Sequence, residues 1–277
     1  MIHLSELPVL AINWHTFFRY AGQAAMLLFL FVYCRRHRPR VHWLWVVTLA
    51  VFFTVAGLTG ARLFSILNMS FTYAEAPRWE LLFQPTAYGS FRWYGSMLLY
   101  ILFLPFLLRL MPGESRWPVF DLFALALCVF IVFIKQGCQF AADGCYGVPT
   151  TLPWGMYYEW GERPSLLPVH PTPVYDSLFH AFFFLYLIRR HRRAAVPEGQ
   201  TGLVFFTGTS IFSFLLEFVR NNPPVALGLT LAQWTFLAVL LLTARVWQYY
   251  ARTHTNRSPA PGLPERQAGA AASFFHF

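Results

Sequence analysis

Seven apolar stretches, each close to 20 residues, constrain this chain more than any other feature. They run over about 16–34, 44–67, 91–111, 118–137, 173–189, 201–219 and 228–249. A helix needs roughly 20 apolar residues to cross a hydrocarbon core about 30 Å thick. The stretches are apolar on nearly every face, without the period-2 alternation of a membrane barrel. Charged residues are only 12% of the chain, about half the share of a soluble domain. The sequence therefore predicts an all-α integral membrane protein with seven transmembrane helices. The first stretch lacks a basic leader and a small-residue cleavage site, and it reads as a retained helix.

The basic residues set the expected orientation. Arg35, Arg36, Arg38 and Arg40 follow the first segment, Arg109 and Arg116 flank the third loop, and Arg189, Arg190, Arg192 and Arg193 fill the fifth. Arg252, Arg257 and Arg266 lie at the C-terminal end, whereas the second, fourth and sixth loops hold only Arg78 and Arg163. Arginine collects on cytoplasmic loops, so the N-terminus is expected outside and the C-terminus in the cytoplasm. The net charge of +9 then belongs to loops facing anionic head groups, and no nucleic-acid partner is expected. A membrane domain over 1–252 and a disordered cytoplasmic tail over 253–277, rich in Pro, Ala and Gly, complete the organisation. A long periplasmic loop joins helices 4 and 5. Its many prolines and aromatics predict a folded lid. Cys34 and Cys128 read as packing residues. Cys138 and Cys145 stand at or beyond the outer end of segment four, where a disulfide is one option that sequence alone leaves open.

A charge inside a membrane segment costs about 2.5–3.5 kcal/mol, so each one needs a reason. Arg62, Arg92, Arg220 and Lys135, the one lysine of the chain, fall at the outer ends of their segments. Asp143, His170, Tyr175, Asp176, Glu217 and Gln233 fall in the same half. Each has an ordinary explanation taken singly: a snorkelling anchor, an intrahelical Glu217–Arg220 pair, or a helix-end charge for Asp176. As a set, four cations outnumber nearby acids and call for an anion, and a phospholipid head group is the natural one. The chain shows no metal-ligand spacing and no cofactor motif. A retinal receptor does not fit a lysine in segment four, and a transporter does not fit a chain without internal repeats.

Six motifs in order resemble those of the bacterial prolipoprotein diacylglyceryl transferase family. They are GARL at 60–63, YGSFRWYGS at 88–96, the long signature from Asp121 through IKQGCQF to the glycine-rich end near 147, VHPTPVYD at 169–176, EFVR at 217–220 and LTLAQW at 229–234. The resemblance covers nearly the whole membrane domain. It implies a seven-helix protein of the bacterial inner membrane, multi-pass, with its site toward the periplasm. The implied reaction moves diacylglycerol from phosphatidylglycerol, or a related anionic phospholipid, to the cysteine thiol of a lipobox-containing preprolipoprotein. Glycerol phosphate is released and no cofactor is used. Arg220, Lys135, Tyr94 and His170 are then the expected catalytic groups, with Arg62, Asp143, Tyr175, Asp176, Glu217 and Gln233 binding substrate. The chain departs from the family pattern at Lys135, where the signature has arginine, at Tyr94, where His is common, at Asp176, where Glu is usual, and at Gln139, where Phe is usual. Lysine keeps the charge but loses the planar fork that grips a phosphate. The alternatives are a relative that uses another acceptor and a non-catalytic seven-helix lipid-binding protein.

Overall fold

The helix that organises the rest is apolar all round. In the computed structural model it runs Arg116–Ala141, and every residue from Pro118 to Cys128 is buried. A helix without a polar face has to be covered on all sides, and this one touches five others, three of them extensively. Residues 13–37, 43–73, 75–83, 92–111, 116–161, 163–193 and 195–255 are described by the structure. The tail from 256 onward lies outside them, as do Tyr88, Phe91, Arg38 and Arg40.

Among the described residues there are seven long helices: α1 Trp14–His37, α2 Trp43–Tyr73, α3 Trp93–Arg109, α4 Arg116–Ala141, α5 Thr172–His191, α6 Gln200–Leu216 and α7 Leu231–Thr255. Each overlays one of the seven apolar stretches. Four regions, in α1, α2, α4 and α6 (extended through the 3-10 turn Glu217–Val219), are long and apolar enough to cross a membrane, and α3 is a shorter apolar helix. The protein is mostly helical and of membrane type. Helices α5 and α7 fall short of that mark because they carry polar groups, including Asp176, His180 and Arg189 on α5 and Gln233, Arg245 and Gln248 on α7.

Helix ends are held by side chains. Asn13 accepts a hydrogen bond from the Thr16 amide at 2.9 Å and starts α1. The N-terminus of α6 is capped from a distance: Asp121 of α4 accepts the Gly199 and Gly202 amides, both at 2.7 Å. At α7, Thr230 and Gln233 form a reciprocal box. The Thr230 hydroxyl accepts the Gln233 amide at 3.2 Å and Gln233 Oε1 accepts the Thr230 amide at 2.9 Å, which satisfies two otherwise orphan donors.

One expectation needs correcting. The chain is not purely α, because the α4–α5 connection contains an antiparallel hairpin of β1 Met156–Tyr158 and β2 Ser165–Val169. These strands are short, and SLLPV carries a proline and no alternation, so no strand period was visible. Tyr158 at the hairpin is buried and donates to Gln139 Oε1 of α4 at 2.7 Å. Gln139, one of the motif departures, thus ties the lid to the helix. Cys128 is buried in the main core and Cys34 packs against it.

In a lipid solvent helices associate through close packing rather than through apolar burial. Gly60 on α2 and Gly95 on α3 meet backbone to backbone, and a Cβ on Gly60 would stand 2.6 Å from the Gly95 carbonyl oxygen. That crossing fixes the neighbours Arg62 and Tyr94. A Gly60→Ala change forces α2 and α3 apart. It is expected to lower the thermal unfolding midpoint in detergent, with a loss of about 1–3 kcal/mol. A change within about 0.5 kcal/mol of the parent contradicts this packing.

Candidate functional site

The site is built where the last turns of α4 and α6 meet the first turns of α5, α3 and α7. Asp176 stands one turn into α5, fully buried. Its Oδ2 accepts Lys135 Nζ of α4 at 2.6 Å and Arg220 Nη2 at 3.0 Å. Its Oδ1 lies 3.1 Å from His180 Nδ1 one turn further along α5. Arg220 follows the 3-10 turn Glu217–Val219 that ends α6, and its Nη1 lies 3.5 Å from Glu217 Oε2. Glu217 Oε1 accepts Asn222 Nδ2 at 2.6 Å and the Thr230 hydroxyl at 3.1 Å. Two cations and two carboxylates therefore share one buried position. A carboxylate reached by two cations stays ionised despite burial.

This arrangement revises the count of charges. Lys135 and Arg220 do not outnumber their acids, because Asp176 and Glu217 match them one for one. The cluster still keeps open donor capacity: Arg220 Nε is buried with no hydrogen-bond partner among the described residues. Lys135 Nζ also lies 4.6 Å from the centroid of the Trp93 ring, a cation–π contact that holds the ammonium against the α3 face.

The other expected site residues divide into three groups. Tyr94 is buried on α3, its hydroxyl 3.4 Å from Asn68 Oδ1, and the charges of Arg92, Glu217 and Arg220 act on it. Its ring packs against Phe64 and Phe236. His170 lies at the end of the α4–α5 connection and Tyr175 in the first turn of α5: His170 Nδ1 is 3.3 Å from the Tyr175 hydroxyl, which accepts Trp154 Nε1 of the connection at 2.8 Å. Tyr175 adjoins Asp176 in sequence, but successive helical residues point about 100° apart. Arg62 is buried on α2 and feels Arg19 of α1; it is not one of the groups gathered at Asp176.

Asp143 and Gln233 also serve other partners. Asp143 Oδ2 accepts His15 Nε2 at 2.8 Å, and its Oδ1 accepts the Cys145 amide at 2.9 Å. Burial pushes its carboxyl up, but the His15 and Cys145 hydrogen bonds outweigh burial and hold it below its ordinary value. Gln233 is half of the α7 capping box, and it reaches the cluster only through Thr230.

Four contributors escaped the sequence reading. His180 lies four residues after Asp176, a spacing that puts both on one helix face, so that signal was present. Trp93 carried no more signal than any tryptophan at a helix end, where it is a common interfacial anchor. Asn222 and Thr230 carried no signal, since an exposed loop and a helix start explain them equally well. The backbone of the lid also joins the site. Gly147 pairs with Arg220 in an antiparallel bridge, and the Val148 amide donates to the Val219 carbonyl at 2.9 Å.

Comparison with known proteins adds the decisive observation. The prolipoprotein diacylglyceryl transferase family model matches residues 3–249, which is nearly all of the helical region. The chain belongs to the prolipoprotein diacylglyceryl transferase family. Membership makes it a transferase of the lipoprotein-biosynthesis class. Among similar proteins is the phosphatidylglycerol–prolipoprotein diacylglyceryl transferase of Nitrosospira multiformis, 24% identical over 252 residues, 88% of this chain and 85% of that protein. The protein of the same name from Bordetella avium is 26% identical over 252 residues, 85% of this chain and 89% of that one. A Polaromonas naphthalenivorans relative is 32% identical over a shorter 111 residues, 38% of this chain and 40% of that protein. At such identities the family is set, while the Lys135–Asp176 pairing has to be read from this structure.

Removing one partner from a buried ion pair strands the other charge, which typically costs about 3–5 kcal/mol. Asp176→Asn leaves Lys135 and Arg220 with Glu217 alone. It is expected to destabilise the protein by that order, measured by thermal unfolding in detergent. Adding Lys135→Met to Asp176→Asn removes one of the stranded cations and should recover part of the loss.

Proposed function

We propose that the protein transfers the diacylglyceryl group of phosphatidylglycerol to the cysteine thiol of a lipobox-containing prolipoprotein. In this reading all seven helices cross the inner membrane. The N-terminus lies outside, the C-terminus and the tail over 253–277 lie in the cytoplasm, and the site faces the periplasm. The alternation of arginine-rich loops supports that orientation. So does the gathering of Lys135, Asp176, Arg220 and Tyr94 at one end of the bundle.

The observation that carries the reading is the shared carboxylate. Asp176 holds an ammonium and a guanidinium side by side in a site nearly closed to water, and Arg220 Nε remains available to a further acceptor. A phosphodiester oxygen that reaches Asp176 meets both cations. The thiolate sulfur then attacks the glycerol carbon that carries the phosphate ester. A C–S bond forms, the C–O bond to phosphate breaks with its electron pair, and glycerol phosphate leaves. The thiol proton passes to a nearby base or to the departing phosphate. The leaving group turns from a monoanion toward a phosphate monoester dianion, so fixed cations stabilise the transition state more than the bound substrate.

Arg220 takes the phosphate oxygens, and Lys135 adds charge while Trp93 keeps its position. Glu217 and Asp176 orient the cations. Tyr94 and His170 are the candidate proton carriers, with Tyr94 on α3 and His170 at the end of the α4–α5 connection. Arg62, Tyr175 and Asp143 line the approach, and Gln233 supports Glu217 through Thr230.

Purified protein incubated with phosphatidylglycerol and a lipobox peptide is expected to give the thioether product, read by mass spectrometry. Arg220→Ala is expected to lower the rate about 10²–10³-fold, the usual effect of losing one donor to a developing anion. Lys135→Arg should keep most of the activity. No thioether from the parent chain, with the lipid bound normally, points to another acceptor; an Arg220→Ala variant as active as the parent overturns the role of the cluster.

A further inference from the structure

The outer ends of α1 and α4 carry a second polar cluster, separate from the four charges gathered at Asp176; of its members only Asp143 also borders the proposed approach. His15 is in the first turn of α1, Cys138 in the last turn of α4, and Asp143 and Cys145 in the loop that follows. One donor atom each from His15, Cys138 and Asp143 lie within 4.8 Å of one another. Cys145 Sγ is 3.2 Å from Asp143 Oδ2, the same oxygen that His15 Nε2 approaches to 2.8 Å. All four side chains are partly buried.

We propose that His15 Nε2, Cys138 Sγ, Cys145 Sγ and an Asp143 carboxylate oxygen form a binding site for a thiophilic divalent metal ion of the zinc class. The donor set is one imidazole, two sulfurs and one carboxylate, the mixture that suits zinc and cobalt and disfavours calcium or magnesium. With bonds of about 2.0–2.3 Å, the ligands of a tetrahedral zinc stand roughly 3.5 Å apart. The His15, Cys138 and Asp143 donors lie within 4.8 Å of one another, and Cys145 Sγ lies 3.2 Å from Asp143 Oδ2, so closing the tetrahedron takes side-chain rotations that bring Cys145 in toward the other three. On binding, the ion replaces the two thiol protons, which are released to solvent.

The cluster can stay rigid because α1 packs closely against α4. A Cβ on Gly137 would stand 3.4 Å from both His15 Cα and His15 Nδ1, which sets His15 within reach of Cys138. Four protein donors leave no open position, which makes the ion a clamp rather than a reagent. It would fasten α1 and α4 to the loop whose Gly147 pairs with Arg220. His15 and Asp143 are 128 residues apart, which is why no ligand spacing was visible in the chain.

The test uses the full chain in detergent, stripped with a chelator under reducing conditions and then titrated with Zn²⁺ or Co²⁺. About one equivalent per chain is expected to bind, and Co²⁺ should give a thiolate-to-metal charge-transfer band. That band should disappear in Cys138→Ser and in Cys145→Ser and weaken in His15→Ala, while Cys34→Ser keeps it. The spectrum of the parent chain decides the matter even where a variant fails to fold. Binding without the charge-transfer band overturns the proposal. So does the absence of stoichiometric binding, or a Cys138–Cys145 disulfide in protein isolated without reductant.

Discussion

The arrangement around Asp176 governs the rest of the structure. A carboxylate without solvent access cannot remain charged alone, and two cations from separate helices cannot approach each other without it. Lys135 from α4 and Arg220 from the end of α6 are therefore placed together by a group on α5. The surroundings follow from that demand. Trp93 presents its ring face to the ammonium, His180 approaches the second carboxylate oxygen, and Glu217 neutralises the far side of the guanidinium. Much of the polar chemistry at this end of the bundle serves to keep four charges in one dry place.

Such a cluster needs a rigid frame, and in lipid the frame comes from close packing. The Gly60–Gly95 crossing lets α2 and α3 touch backbone to backbone, and Gly137 gives α1 a close packing contact with α4 through Phe18 and His15. Asp121, on the same helix as Lys135, plays a separate part. It caps α6 about 21 Å away along α4, at 1.5 Å per residue. One helix thus fixes the start of α6 with its first turns and contributes a cation beside the end of α6 with its last.

Lysine in place of the family's arginine also has a local explanation. Its ammonium stands 2.6 Å from Asp176 Oδ2 and over the Trp93 ring. The planar guanidinium beside it is that of Arg220, whose Nε has no hydrogen-bond partner among the described residues.

The sequence alone determined the solvent, the positions of the seven helices and the family. Apolar length and motif order are local properties, and α1 through α7 fell where the apolar stretches predicted. It also named Lys135, Asp176, Glu217 and Arg220 as belonging to one end of the bundle. Which groups meet was decided only in three dimensions. Asp176 and Arg220 are 44 residues apart, and His15 and Asp143 are 128. Their pairing depends on the rotation and depth of each helix, which an all-round apolar surface does not record. For the same reason Gln233 proved to be part of a helix cap, and Asp143 proved to bind His15 rather than a cation of the cluster.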